Sequence, residues 1–282
     1  MDHSAVSWPG PLVWYAFLSG VAAGSSLLAS LTALFGSEAD RRATRRGFLL
    51  AFPLLIICLV LLAIQSARNR TASVWFSLGF LDVKSWETLC AVSVASLLGR
   101  FVEEESFRPS RPLSALKILN RRGFGFLLAA VGMVAALGLA VSLGPASKPD
   151  WASLGWLGAV QLTSATCMGF ATASLTAPRA SAHEEIDTDA RLATGSAMAI
   201  VLELVSLTGL SLSMRGLSGF ALQRWPGSLI PLFVVPFGLV LPLVLRQVRG
   251  PRGAIDAAWL VLLGGFILHA ALAGIPASLA LK

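Results

Sequence analysis

Charge is scarce in this sequence. Only 13% of the 282 residues are Asp, Glu, Lys or Arg, while 55% are hydrophobic; a soluble domain carries roughly a quarter charged residues. That shortage leaves little polypeptide for a water-soluble domain. Histidine is scarcer still. Of His3, His183 and His269, only His269 falls inside an apolar run, so a membrane haem held by two histidines would need a ligand from another chain. The three cysteines, Cys58, Cys90 and Cys167, lie in three different apolar runs and form no CxxC pair. Iron–sulfur ligation is excluded, and buried inert thiols are the expectation. There is one tyrosine, Tyr15. The N-terminus has no basic stretch and no cleavage signature that stands out, so no separate signal peptide is expected.

Long apolar runs are what the sequence has instead. Segments of about 20 apolar residues recur along its length, the mark of transmembrane helices, and inside lipid such runs must satisfy their own backbone, which dictates helix. The expected fold is an all-α polytopic membrane protein, a single integral domain over 1–282. Eight spans fall near 11–35, 47–66, 86–102, 123–143, 155–177, 191–213, 228–246 and 256–280. The third carries Glu87 at its start and is the shortest.

The net charge of +7 follows topology rather than nucleic-acid binding. Loops after the first, third, fifth and seventh spans hold fifteen of the 22 Lys and Arg residues. By the positive-inside rule these loops are cytoplasmic and both termini are periplasmic, in a bacterial inner membrane. The loop 67–85 then faces outward. It mixes Trp75, Phe76 and Phe80 with Arg68, Arg70, Asp82 and Lys84, next to Trp86, as a short amphipathic helix at the membrane surface would. The cytoplasmic stretch RASAHEEIDTDAR, residues 179–191, reads as a solvated loop with an acidic cap for the sixth span.

SGVAAGSSLLASLTA (19–33) resembles SATCMGFATASLTA (164–177), with Ser and Gly five apart in both and a one-residue slip afterwards. Two readings stand: an internal repeat with four-helix halves at 1–145 and 150–282, or a coincidence of small-residue composition. Gly20 and Gly24 form GxxxG, which lets another helix backbone come close.

Three polar residues lie in or at the end of spans. Glu203 sits mid-run, where an ionised carboxylate costs about 2.5–3.5 kcal/mol. His269 lies in the last span, and Gln65 ends the second. They read as a proton route. Alternatively, Glu203 is a protonated carboxyl bonded to Ser or Thr of a neighbouring helix, and Gln65 an ordinary helix-end amide. Trp8, Trp14 and Tyr15 lie at the outer boundary of the first span, where Trp and Tyr favour the headgroup level. With the aromatic, charged 67–87 loop on the same side, they also suit a flat quinone head.

Several segments resemble the NrfD/PsrC family, the membrane subunits of polysulfide reductase and formate-dependent nitrite reductase. They are VWYAFLSGVAAGSSLLA, the IQSARNRTASVWFSLGFLDVKSW hairpin, and LIPLFVVPFGLVLPLVL leading to AWLVLLGGFILHAALAGI. The resemblance implies a cofactor-free subunit that binds menaquinone or ubiquinone near the outer face. It also implies a docked periplasmic ferredoxin-like subunit with four [4Fe-4S] clusters, and beyond it a molybdopterin or cytochrome catalytic subunit. On that resemblance Tyr15 stands where the family has a quinone-contacting histidine, and His269 where it has a last-helix arginine. The acidic residue of the family's second helix falls near Cys58, and its fourth-helix tyrosine has no counterpart in MVAALGLAVSLG. The expected quinone contacts are Tyr15, Trp14, Trp8, Arg68, Asp82, Trp86 and Glu87, with Arg68, Arg70 and Lys84 docking the partner. Two rivals fit the same pattern. One is a secondary transporter using Glu203 and His269; the other is an anchor of the dimethyl-sulfoxide-reductase type, whose Ser-Trp motif KSW resembles.

Overall fold

The computed structural model describes residues 10–36, 40, 53–54, 56–58, 60–61, 151–176, 182–213 and 227–279. They are helical apart from short connections. Helix α1 is Gly10–Phe35, α2 is Trp151–Thr176 and α3 is Ala182–Ser213; a π-helical segment, Ile230–Val240, runs into α4, Leu241–Leu279. Residues of the second expected span at 53–54, 56–58 and 60–61 are helical as well. The third and fourth expected spans and the loop 67–85 lie outside the described residues.

Among the described residues, four stretches are long and apolar enough to cross a membrane: Val13–Thr32, Ala190–Ser213, Ile230–Arg249 and Gly253–Leu272. Their exposure is inside-out relative to a soluble protein. On α3 the buried positions include Ser196, Glu203 and Ser206, while Met198, Val201, Leu202, Val205 and Leu212 are exposed. Lipid tolerates an apolar exterior that water would not, so the exposed hydrophobic stripe marks the membrane-facing side.

Helix α2 is as long as α1 but falls outside that apolar set. Its polarity is mostly self-contained. Thr163, Thr166, Thr172, Ser174 and Thr176 each donate to the carbonyl four residues back, at 2.8–2.9 Å. This back-bonding lets hydroxyls sit in an apolar bundle without outside partners. The helix can therefore occupy the middle, packed against α1, α3 and α4.

Side-chain-free positions set how the helices meet. Gly24 of α1 lies on the backbone of Ala165 and Gly169 of α2, and a Cβ at Gly24 or Gly169 would collide with main chain. Between α2 and α3, the Phe170 ring covers Gly195 and the Trp156 ring covers Gly209. Equal steps in opposite senses make that pair antiparallel. Asp40, beyond the end of α1, receives a 2.9 Å salt bridge from Arg191, near the start of α3. The C-terminal ends of α1 and α2 therefore lie at one end of the bundle, and the two helices run parallel.

Two expectations change here. The stretch 179–191 is not mainly loop: helix α3 begins at Ala182 and takes in its acidic residues. Carboxylates in the opening turns of a helix oppose the positive end of its dipole, which favours that extension. The connection expected between 246 and 256 has helical backbone and is part of the segment Leu241–Leu279. Yet Gly238 and Gly264 touch backbone to backbone, whereas a straight helix would hold them about 39 Å apart. The chain must therefore double back around Gly250-Pro251-Arg252-Gly253. Upstream, Pro236 cannot donate and would clash with the carbonyl four residues back. Widening the turn relieves this, and Leu241 N–H bonds Pro236 O, five residues earlier.

Candidate functional site

Two buried polar centres flank α2 at nearly one height. His269 of α4 stands against Met168 and Gly20. Its Nδ1 donates to the Gly265 carbonyl at 2.7 Å, which leaves the neutral ring with an Nε2 lone pair. Nε2 is buried and has no hydrogen-bond partner among the described residues. Gly265 makes the arrangement fit, since any side chain there would strike Met168. The adjacent Gly264 serves the contact with Gly238, so two successive glycines accommodate two different neighbours.

Glu203 of α3 faces the other side of α2. It is 2% exposed, and its carboxyl lies against the Cys167 thiol and the Ser164 hydroxyl. Ser164 is an exception among the hydroxyls of α2: its Oγ is buried and turned to the Glu203 carboxyl rather than to a carbonyl of its own helix. Gln161, one turn earlier, has a buried Nε2 with no hydrogen-bond partner among the described residues. Toward the other end, Cys167 is near enough to Arg246 to feel its charge. Arg246 Nη2 donates to Ser174 Oγ at 3.3 Å, while its Nε is buried and unpartnered. Buried polar atoms are nearly always hydrogen-bonded, to ordered water where protein offers nothing. Buried polar groups thus run in a line from Gln161 to Arg246.

A third feature is aromatic. Trp14 is 51% exposed and its ring packs on Phe266 at a centroid distance of 4.9 Å; Phe17 meets Phe266 edge-on at 5.4 Å. This corner joins the first helix to the last at the end opposite Arg191 and Arg246.

Of the residues expected from sequence, Trp14, Tyr15, Glu203 and His269 are described. Trp8, Gln65, Arg68, Arg70, Asp82, Lys84, Trp86 and Glu87 lie outside the described residues. Trp14 and Tyr15 are not on one surface. Tyr15 is 7% exposed and belongs to the bundle interior, where its carbonyl accepts from the Cys58 thiol at 3.9 Å. Neighbours on a helix point about 100° apart, so one can face out only if the other turns in. Glu203 and His269 are both buried, separated by α2, with no hydrogen bond between them. Sequence reasoning missed Ser164 and Gln161, two polar residues among many on a Thr- and Ser-rich helix. It also placed Arg246 among loop arginines, although the run LPLVLRQV hinted that the helix continues past it. Among the described residues no group of His, Cys, Asp and Glu could hold a metal ion. No family model, no curated protein and no solved structure matches the chain.

Proposed function

We propose that this chain is the quinone- or quinol-binding membrane subunit of a multi-subunit respiratory oxidoreductase in a bacterial inner membrane. It exchanges electrons between the quinone pool and a periplasmic iron–sulfur subunit with four [4Fe-4S] clusters, itself joined to a molybdopterin or cytochrome catalytic subunit. The chain holds no haem or cluster, and menaquinone or ubiquinone is its bound substrate. In this reading it has eight spans in two four-helix halves, with both termini periplasmic. The parallel course of α1 and α2, which meet at matching positions of the two similar stretches, supports direct rather than inverted halves.

The observation that carries the reading is the half-exposed corner of Trp14, Phe17 and Phe266. Offset and edge-on rings with one open face suit a planar head group that arrives from lipid. The hydrogen-bonding groups nearest along the two helices are Tyr15, next to Trp14, and His269, three residues after Phe266. Trp8, Arg68, Asp82, Trp86 and Glu87 complete the pocket in this proposal; Arg68, Arg70 and Lys84 form the docking rim. Two electrons pass singly to a cluster of the partner, and the protons of a quinol leave through the polar groups beside it. Either direction of flow satisfies the chemistry. Glu203 and His269, with Gln65, are the groups available for a proton route.

Purification from native membranes tests this. An iron–sulfur protein that co-purifies and is reduced by quinol is the expected result. A chain that purifies alone and moves a solute into vesicles would overturn it. That outcome would favour a secondary transporter, for which the proline-bearing π-helical segment Ile230–Val240 argues, since broken helices line transporter sites.

A further inference from the structure

Among the described residues, the seam beside Glu203 is polar toward one end and apolar toward the other. Past Gln161, away from the arginines, stand Val160, Leu207, Leu210 and Ile230, all members of the apolar core, with the Trp156 ring pressed on Gly209. In the other direction polar groups continue. From Glu203 the order is Cys167, then Arg246 with Ser174, about 10 Å further along α2. Arg246 is only part-buried, and it stands one turn from Arg249, which is exposed and lies 3.7 Å from Asp256. Arg246 Nε, at the far end of this stretch, is buried and has no hydrogen-bond partner among the described residues.

We propose that Glu203 is a proton-binding site that exchanges with bulk water only from the arginine-bearing end, through ordered waters along the seam lined by Cys167, Ser174 and Arg246. The step is a simple one: the carboxyl releases its proton to a seam water and the carboxylate takes one back. Arg246 is a positioning residue. Its guanidinium carries a positive charge, which repels other cations from the seam. Among the described residues the titratable group that faces Glu203 is Cys167 of α2; Arg246 of α4 lies beyond it, beside Cys167 and Ser174, and the π-helical segment contributes none. His269 is on the far side of α2, against Gly20 and Met168. The inference does not rest on the quinone reading, and it holds if the chain meets no quinone.

Cys167 is a built-in reporter. With Cys58→Ala and Cys90→Ala in the full chain, it is the sole thiol. Silver ion, small enough for a water-filled seam, is applied in chloride-free buffer to sealed vesicles of either orientation. The chain is then unfolded in detergent, and remaining thiol is labelled with a maleimide. Silver at the arginine-bearing face should abolish later labelling, while silver at the opposite face should leave it intact. Arg246→Gln should speed the reaction about tenfold by removing the repelling charge. Equal protection from both faces, protection from the opposite face, or none from either would overturn the proposal. A second readout concerns the carboxyl itself. The infrared stretch of a protonated carboxyl should vanish in Glu203→Gln and shift in heavy water within seconds. An absent band, or one that does not exchange, would also overturn it.

Discussion

Helices α1 and α2 share a small-residue stretch, run parallel and meet at matching glycines, Gly24 and Gly169. Their surroundings differ. The helical residues after α1 set Cys58 against the Tyr15 carbonyl; the helix after α2 sets Glu203 against Ser164 and Cys167. Cys58 follows Arg46, and Glu203 follows Arg191, by the same twelve residues, and each is followed by Leu-Val. Both are buried; Cys58 faces α1 and Glu203 faces α2. The packing position is therefore common, and a single side chain decides whether it is a quiet thiol or a costly carboxyl. Embedding differs too. Of the stretch Val13–Thr32, 78% is buried, against 28% of Ile230–Arg249, so α1 and α2 form the centre and the proline-rich helix the rim.

The severest way to break this comparison is at the crossing. Gly169→Leu should destabilise by about 3 kcal/mol or more, because only backbone stands in the way and cannot give. Thermal unfolding in detergent measures it, and Gly155→Ala, which meets nothing, is the neutral control. Next, Cys58→Glu tests whether the two positions are equivalent in cost. Without the serine of α2 that lies against Glu203, the new carboxyl should cost about 3 kcal/mol, whereas Glu203→Gln should unfold at nearly the wild-type temperature. Tyr15→Phe should slow quinone turnover in the assembled complex and change stability by about 1 kcal/mol at most. Unchanged turnover would remove Tyr15 from the site. Smallest of all, Arg191→Gln deletes a pair whose arginine is 61% exposed, so its effect should stay within about 1 kcal/mol.

Much of this architecture was legible beforehand. Apolar length located the described spans, and the glycine spacing in the first span foretold the backbone contact with α2. Glu203 and His269 stood out because ionisable groups in apolar runs are rare. The rest depended on rotation and depth, which composition does not encode. Trp14 and Tyr15 looked like one aromatic belt, and a helical turn splits them between the surface and the core. Arg246 read as a loop charge, because topology counting ignores the several bonds of a side chain that can carry a guanidinium back into the bundle. Glycine and proline at 250–253 marked where the chain turns back, and only the helical character of that turn was hidden. Ser164 was one hydroxyl among many until the others were seen to bond their own helix.

A photoreactive quinone analogue, applied to the intact complex in native membranes, tests the central claim most directly. Label on the peptides that hold Trp14 and Phe266, competed away by excess quinone, is the predicted result. Label confined to other subunits, or none that quinone displaces, would contradict it.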